Sequence, residues 1–239
     1  MTVKAAQTIA IVGTDTAVGK TLVAGAILRL LAGQGGATPF KPAETGCDPT
    51  SPPDGLFLLQ CANLPKSHLD QVVPFRFTLP ASPLTASARQ RRRIDQTTVM
   101  ERYRRLLHQP RPWVVMEGAG GLLVPFGEDW TFADLLVAIR PKVILVARTG
   151  LGTMNHTLLT ASELSRRDIH VLGLVFNQLS DVPGPEEKET PEIISRFANL
   201  PILGRIPYLS TNQRLDPVRA ADIALAALDP PRLSKLLRS

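Results

Sequence analysis

Ile9-Ala10-Ile11-Val12-Gly13-Thr14-Asp15-Thr16-Ala17-Val18-Gly19-Lys20-Thr21 decides the fold of this chain. The apolar run Ile9 to Val12 reads as a buried strand, and Leu22 to Leu31 reads as a helix. A strand feeding a Gly-rich turn that opens a helix is the setting of a phosphate-binding loop. The helix start offers unpaired backbone N–H groups and about half a positive charge, both suited to an anion. Lys20 reaches the β- and γ-phosphates in such a loop, and the Thr21 hydroxyl sits on Mg²⁺. Four residues usually separate the first glycine from Gly-Lys-Thr; here there are five, Thr14 to Val18. That spacing points to a subclass of nucleotide-binding proteins. A turn that merely caps a helix is the alternative, and the placement of Gly-Lys-Thr between strand and helix disfavours it.

Working outward, apolar β-rich runs recur at Ala37–Phe40, Trp113–Met116, Val143–Ala147, Val171–Phe176 and Ile202–Ile206, with helical patterns between them. Nearly continuous apolar runs suit strands buried on both faces, hence a mostly parallel sheet. The alternation predicts an α/β fold with a doubly wound, mostly parallel sheet and helices on both faces. At 239 residues, one domain spanning 1–239 is expected. Several strands end in polar or Gly-rich residues: Lys41 to Gly46, Glu117 to Gly121, Thr149 to Asn155 and Asn177 onward. Ligands of open α/β sheets bind at the carboxyl ends of the strands, so these residues are expected to share one edge. Proline-rich stretches at 49–53, 80–83 and 183–185 read as loops, and 181–192 as a mobile surface loop.

The two cysteines, Cys47 and Cys61, have no metal or redox spacing and read as structural thiols; the four histidines form no zinc motif. No apolar run approaches a membrane span and no signal-peptide core precedes the first strand, so a cytoplasmic location is expected. The net charge is +6, and much of the excess is local: Arg89, Arg91, Arg92 and Arg93 cluster, and Arg102, Arg104 and Arg105 follow on a predicted helix. No aromatic residues interleave with them, so the cluster reads as a solvated basic face and not a base-stacking platform.

Four further positions carry candidate chemistry, each beside a plainer reading. Lys41 lies in Phe40-Lys41-Pro42-Ala43-Glu44-Thr45-Gly46. It is either a strand-end lysine reaching to water or a second cation for a γ-phosphate or neighbouring anion. Thr45 adds a hydroxyl to the same loop. Asp54 is either a helix-capping aspartate or a Mg²⁺ ligand, since Mg²⁺ takes one or two carboxylates plus phosphate oxygens. Glu117 closes the apolar strand ahead of Gly118-Ala119-Gly120-Gly121, where phosphate-loop enzymes place an acid. Gly152-Thr153-Met154-Asn155 precede a helical run from Thr157 to Ser165, which makes either an ordinary cap or a second anion-holding helix start.

Taken together these stretches resemble the dethiobiotin synthetase family of the P-loop NTPase superfamily, from the first strand to about Leu209. Gly-Thr-Asp-Thr-x-Val-Gly-Lys-Thr, at Gly13–Thr21, is characteristic of that family and accounts for the extra loop residue. Lys41-Pro42, Thr45-Gly46, Glu117–Gly121, Thr131-Phe132-Ala133-Asp134, Gly152–His156, Asn177 and Gly204-Arg205-Ile206-Pro207 follow in the family's order. The resemblance implies closure of a cyclic urea on 7,8-diaminopelargonate with CO₂ and ATP, through a carbamate and a carbamic–phosphoric anhydride. It implies that Lys20 and Lys41 are catalytic. ATP would be bound by Gly13, Thr16, Ala17, Val18, Gly19, Lys20 and Thr21, with Asp54, Glu117, Gly118, Ala119 and Gly120. The adenine end would be received by Asn177, Gln178, Pro207, Tyr208 and Leu209. Thr21, Asp54 and Glu117 would hold Mg²⁺. Substrate would be bound by Thr45 and, from the partner of a homodimer, by Gly152, Thr153, Met154 and Asn155. No nucleic-acid or membrane partner is expected.

The chain departs from the family at Ala17, where some members carry an acid, and at Leu84, where a histidine is common. A cobyrinate amidase-type synthetase is a rival, but it needs a glutaminase domain for which this chain has no room. An ATP-driven partitioning switch is another. Such switches carry a lysine early in the loop, where this chain has Asp15.

Overall fold

The computed structural model describes residues 5–182, 184 and 187–238. Eight strands appear among them: β1 (Gln7–Gly13), β2 (Ala37–Phe40), β3 (Ala43–Thr45), β4 (Phe75–Phe77), β5 (Trp113–Gly121), β6 (Lys142–Arg148), β7 (Val171–Asn177) and β8 (Ile202–Ile206). The helices are α1 (Lys20–Ala32), α2 (Pro53–Cys61), α3 (Leu69–Val72), α4 (Pro83–Arg89), α5 (Gln96–Leu107) and α6 (Phe132–Ile139). They continue with α7 (Thr153–Arg166), α8 (Thr190–Ala198), α9 (Thr211–Arg214), α10 (Pro217–Ala226) and α11 (Pro230–Arg238). Six strands form one sheet in the order β2-β5-β1-β6-β7-β8, every neighbour pair parallel. The predicted parallel α/β architecture is what the chain adopts.

The apolar runs are continuous because both faces of the sheet are covered. Along β1, Ile9 and Ile11 pack on one face with Val23, Ile27 and Leu31 of α1 and Ala221 of α10. Ala10 and Val12 point the other way, into a core with Tyr103 of α5, Leu136 of α6 and Leu164 of α7. Alternate residues of a strand face opposite sides, so each side needs its own apolar set. The chain leaves β1 toward β2 on one side and later resumes at β6 on the other. That reversal places a crevice at the carboxyl end of β1.

The small parallel sheet of β3 and β4, with Ala43 opposite Phe75 and Thr45 opposite Phe77, has no counterpart in the sequence reading. Strands of three residues are too short to show a period. Two proline stretches expected as loops end inside helices: Pro53 and Pro83 are the first residues of α2 and α4. Proline fits that position because its missing N–H has no helical partner there. The segment 181–192 is likewise not all loop, since Thr190–Glu192 open α8; Pro183 and Pro185 lie outside the described residues. Both cysteines are buried free thiols. Among the described residues no helix is long and apolar enough to cross a membrane.

Candidate active site

The phosphate loop leaves β1 at Gly13 and enters α1 at Lys20. Gly19 has φ 98°, a left-handed conformation that disfavours a side chain, and a Cβ there would lie 2.1 Å from Asn177 Nδ2. Gly13 is bare for a similar reason: a Cβ would sit 2.8 Å from Lys20 Cδ. Lys20 folds back over the loop, its Nζ donating to the Asp15 carbonyl at 2.7 Å. Burial, reinforced by the nearby Lys41 charge, draws its ammonium down to about 8 against the pull of Glu117, Asp54 and Asp15.

Lys41, at the end of β2, is only 3% exposed. Its Nζ donates to Glu117 Oε1 at 2.7 Å and lies 2.9 Å from Asp54 Oδ2. Burial opposes the ammonium, but Glu117 and Asp54 override it and hold Lys41 above its ordinary value. Thr21 Oγ1 donates to the same Glu117 Oε1 at 2.8 Å. Glu117 Oε2 is buried and has no partner. Burial pushes the Glu117 carboxyl up, and Lys41 restrains the rise. Asp54 behaves oppositely: burial would raise it, yet Lys41 holds it below the usual carboxylate range.

These groups line a cavity of ≈ 550 Å³. Its wall includes the predicted Thr16, Ala17, Gly19, Lys20 and Thr21 of the loop. Lys41, Thr45, Asp54, Glu117, Gly118, Ala119 and Gly120 complete the predicted part. A second hollow of ≈ 420 Å³ continues past Thr16, Thr45, Ala119 and Gly120 to Ser82 and Pro83 at the start of α4. No group of three or more His, Cys, Asp or Glu side chains stands ready for a metal among the described residues. Mg²⁺ does not need one: Thr21 Oγ1, Asp54 and the open Oε2 of Glu117 are hard oxygen donors, and phosphates and water complete such a shell. The residues therefore fit the ion.

A family profile described as an AAA domain matches residues 7–214. The ATP-dependent dethiobiotin synthetase of Bacillus licheniformis is 37% identical over 203 residues, covering 83% of this chain and 85% of that protein. The dethiobiotin synthetase of Anaeromyxobacter sp. (strain K) is 37% identical over 199 residues, covering 83% and 88%. The chain belongs to the dethiobiotin synthetase family. The likeness to solved structures is one of fold. A chain of the MinC:MinD cell division complex of Aquifex aeolicus superposes with TM-score 0.58 at 14% identity, over 98% of this chain and 96% of that one. A ParA family ATPase of Chlorobium tepidum TLS gives 0.53 at 12%, over 98% and 97%.

Not every position singled out for the synthetase family lies in the cavity wall. Gly13 and Val18 shape the loop from behind, and the Val18 carbonyl accepts from Asn177 Nδ2 at 3.1 Å. Asn177 is 1% exposed at the end of β7, and its Oδ1 has no partner. Gln178 hydrogen-bonds through its side chain to Ser180 O. Pro207 and Tyr208 are exposed, whereas Leu209 is buried in the α1 core. Gly152, Thr153, Met154 and Asn155 lie apart from the cavity. Thr153 Oγ1 donates to Arg148 O, which ties the start of α7 to β6. Two polar wall residues were absent from the sequence reading, Glu44 and Arg214. Glu44 sits inside the Lys41–Gly46 stretch, but nothing local to it announces its partners. Arg214 lies beyond Leu209, where the motifs end.

Proposed function

We propose that the chain closes the urea ring of dethiobiotin on 7,8-diaminopelargonate, using CO₂ and ATP, as a homodimer in the cytoplasm with Mg²⁺. The observation that carries the reading is Lys41, a buried cation tied to Glu117 and Asp54 beside the phosphate-loop Thr21. One amine adds to CO₂, loses a proton and becomes a carbamate. A carbamate oxygen attacks the γ-phosphorus and ADP leaves. The second amine then attacks the carbonyl carbon of the anhydride, phosphate leaves, and the ring closes.

The first phosphoryl step brings two anions together. At about 4 Å, two unit charges repel by about 4 kcal/mol at an effective dielectric of about 20. Lys20 and Lys41 offset that repulsion and stabilise charge spread over the transferring oxygens. Bound Mg²⁺ supplies further charge neutralisation on the phosphates, held by Thr21, Asp54 and Glu117. The substrate brings both nucleophiles, so the protein mainly positions and neutralises. The hollow past Thr45 suits the substrate's chain. Asn177, Gln178 and the Pro207–Leu209 segment would receive the adenine, Leu209 through its backbone because its side chain is in the core, and the unpartnered Asn177 Oδ1 would suit an exocyclic amine.

The start of α7 reaches a substrate only from a second subunit. Leu151 and Leu159 on either side of it are 83% and 62% exposed, and Leu123 nearby is 51% exposed. An apolar group of this kind supports its burial between two copies. The test is incorporation of labelled bicarbonate into an acid-stable product with 7,8-diaminopelargonate, ATP and Mg²⁺, against a Lys20→Ala control. Stable label with matching phosphate release is expected. ATP hydrolysis without stable label rejects the substrate.

A further inference from the structure

Helix α2 carries Asp54 in its first turn, yet its N-cap is Pro52, which has no side chain able to cap. Pro53 at the first helical position has no N–H. The first orphan donors of this helix are therefore the N–H groups of Asp54 and Gly55. Both are taken by one residue of a different element. Asp54 N–H donates to Glu44 Oε1 at 2.9 Å, and Gly55 N–H donates to Glu44 Oε2 at 2.9 Å. Glu44 is 3% exposed, and β3 fixes it by pairing with β4, Glu44 opposite Arg76. The helix start is also packed tightly: a Cβ on Gly55 would lie 2.6 Å from Val73 Cγ2.

The stretch from the end of β2 into β3 thus carries Lys41 and, through Glu44, holds its ion-pair partner Asp54. Lys41 stands three residues before Glu44, and Lys41 Nζ meets Asp54 Oδ2 at 2.9 Å. Each Glu44 oxygen satisfies one orphan N–H of the helix start, a donor that would otherwise be left without a partner. We propose that Glu44 is a positioning residue which clamps the first turn of α2 and so aims the Asp54 carboxylate at Thr21 and Lys41, setting the affinity for the divalent cation. This rests on the reading of Asp54 as a ligand of that cation. Both oxygens of Glu44 accept from backbone N–H groups, so it acts on Asp54 through the backbone.

The test is Mn²⁺ binding, followed by electron paramagnetic resonance, to the protein loaded with a non-hydrolysable ATP analogue. Thermal melts and steady-state kinetics accompany it. Glu44→Ala is expected to weaken Mn²⁺ by about tenfold or more, the usual size for loss of a group that orients a ligand. The Mg²⁺ concentration that gives half-maximal turnover should rise by a similar factor. Adding Pro52→Ser supplies a local cap to the same N–H groups, and the double variant is expected to recover Mn²⁺ affinity. Wild-type affinity in Glu44→Ala, with loss in Asp54→Asn, overturns the proposal and leaves the metal reading standing. Wild-type affinity in Asp54→Asn overturns both. Recovery of the melting temperature by Pro52→Ser without recovery of Mn²⁺ affinity also overturns the clamp. If Glu44→Ala melts too low for binding work, Glu44→Gln, which keeps one acceptor oxygen of two, carries the same comparison with an intermediate loss expected.

Discussion

Beside the carboxyl end of β2 and the middle of β5, Lys41, Glu117, Asp54 and Thr21 are joined by contacts of 2.7 to 2.9 Å. Across the sheet, at the ends of β7 and β8, Asn177 keeps a buried oxygen unpartnered and Tyr208 lies on the surface. The contrast follows from what each group costs when left alone. A buried unpaired charge is penalised by several kcal/mol. A buried amide oxygen without a partner costs about 1–3 kcal/mol. The charged end of the site must therefore be assembled by the protein itself, while the nucleoside end can be left for its ligand to complete. Lys20 sits between the two regimes, buried but paired only with a backbone carbonyl among its hydrogen-bond partners, and its lowered pKa reflects that.

The largest effect should come from breaking the assembled end. Lys41→Ala is expected to lower turnover by about 10²–10³-fold, the size typical of losing one preorganised charge-stabilising donor. It also strips the counter-charge from Glu117 and Asp54, which should cost up to about 3–5 kcal/mol in denaturant unfolding. Near-normal single-turnover rates would remove Lys41 from the reaction.

Next in size is the pH response of Lys20. Its ammonium is held at about 8 in the free protein and at 10.5 ordinarily. Between those values the unfolded chain binds the extra proton, so this group makes stability rise with pH there. Nucleotide binding has the opposite sign, because triphosphate needs the charged lysine. ATP affinity measured by calorimetry should fall as pH passes about 8, and Lys20→Gln should flatten that fall. An unchanged slope in Lys20→Gln would assign the titration elsewhere.

A smaller effect tests the open end by itself. Asn177→Ala should weaken ATP by about fivefold, the worth of one ordinary hydrogen bond. Binding of inorganic triphosphate should change less, because that ligand never reaches β7. Equal losses for both would mean that Asn177 acts through its bond to Val18 and not on the base. The smallest effect is expected far from either end. Arg91→Ser with Arg93→Ser should leave activity unchanged and stability within about 0.5 kcal/mol. Arg92 differs from its neighbours, since it donates to Pro74 O at 2.8 Å and lies 5.4 Å from the Phe75 ring centroid. Arg92→Ala should lower the melting temperature, and a large activity loss in the Arg91/Arg93 pair would show that the basic face has a partner.

What was legible in the sequence was whatever is encoded locally. The strands of the main sheet could be read because burial on both faces writes an uninterrupted apolar run. The loop from Gly13 to Thr21 could be read because its glycines, lysine and threonine are contiguous. Glu117 could be read because it ends such a run. Glu44 could not, because its partners are backbone groups of a helix that starts later in the chain. Arg214 could not, because it reaches the cavity wall only after β8 has returned the chain to α1. The β3–β4 pair left no trace because three residues cannot display an alternation. Leu209 shows the converse: it belongs to a family stretch, yet its side chain serves the core.

The middle position of β1 has a consequence for the order in which the molecule is made. The phosphate loop precedes its sheet partners in the chain: among the described residues, the strand that carries it pairs with residues 113–121 and 142–146, both far downstream. Until those have been synthesised, the loop has no neighbours to hold it and no Glu117 beside it. Pairing between segments so distant in sequence is slow to form. A nascent chain that ends before β5 should therefore carry the whole signature motif and yet have no nucleotide pocket, so that competence to bind arises in one late step.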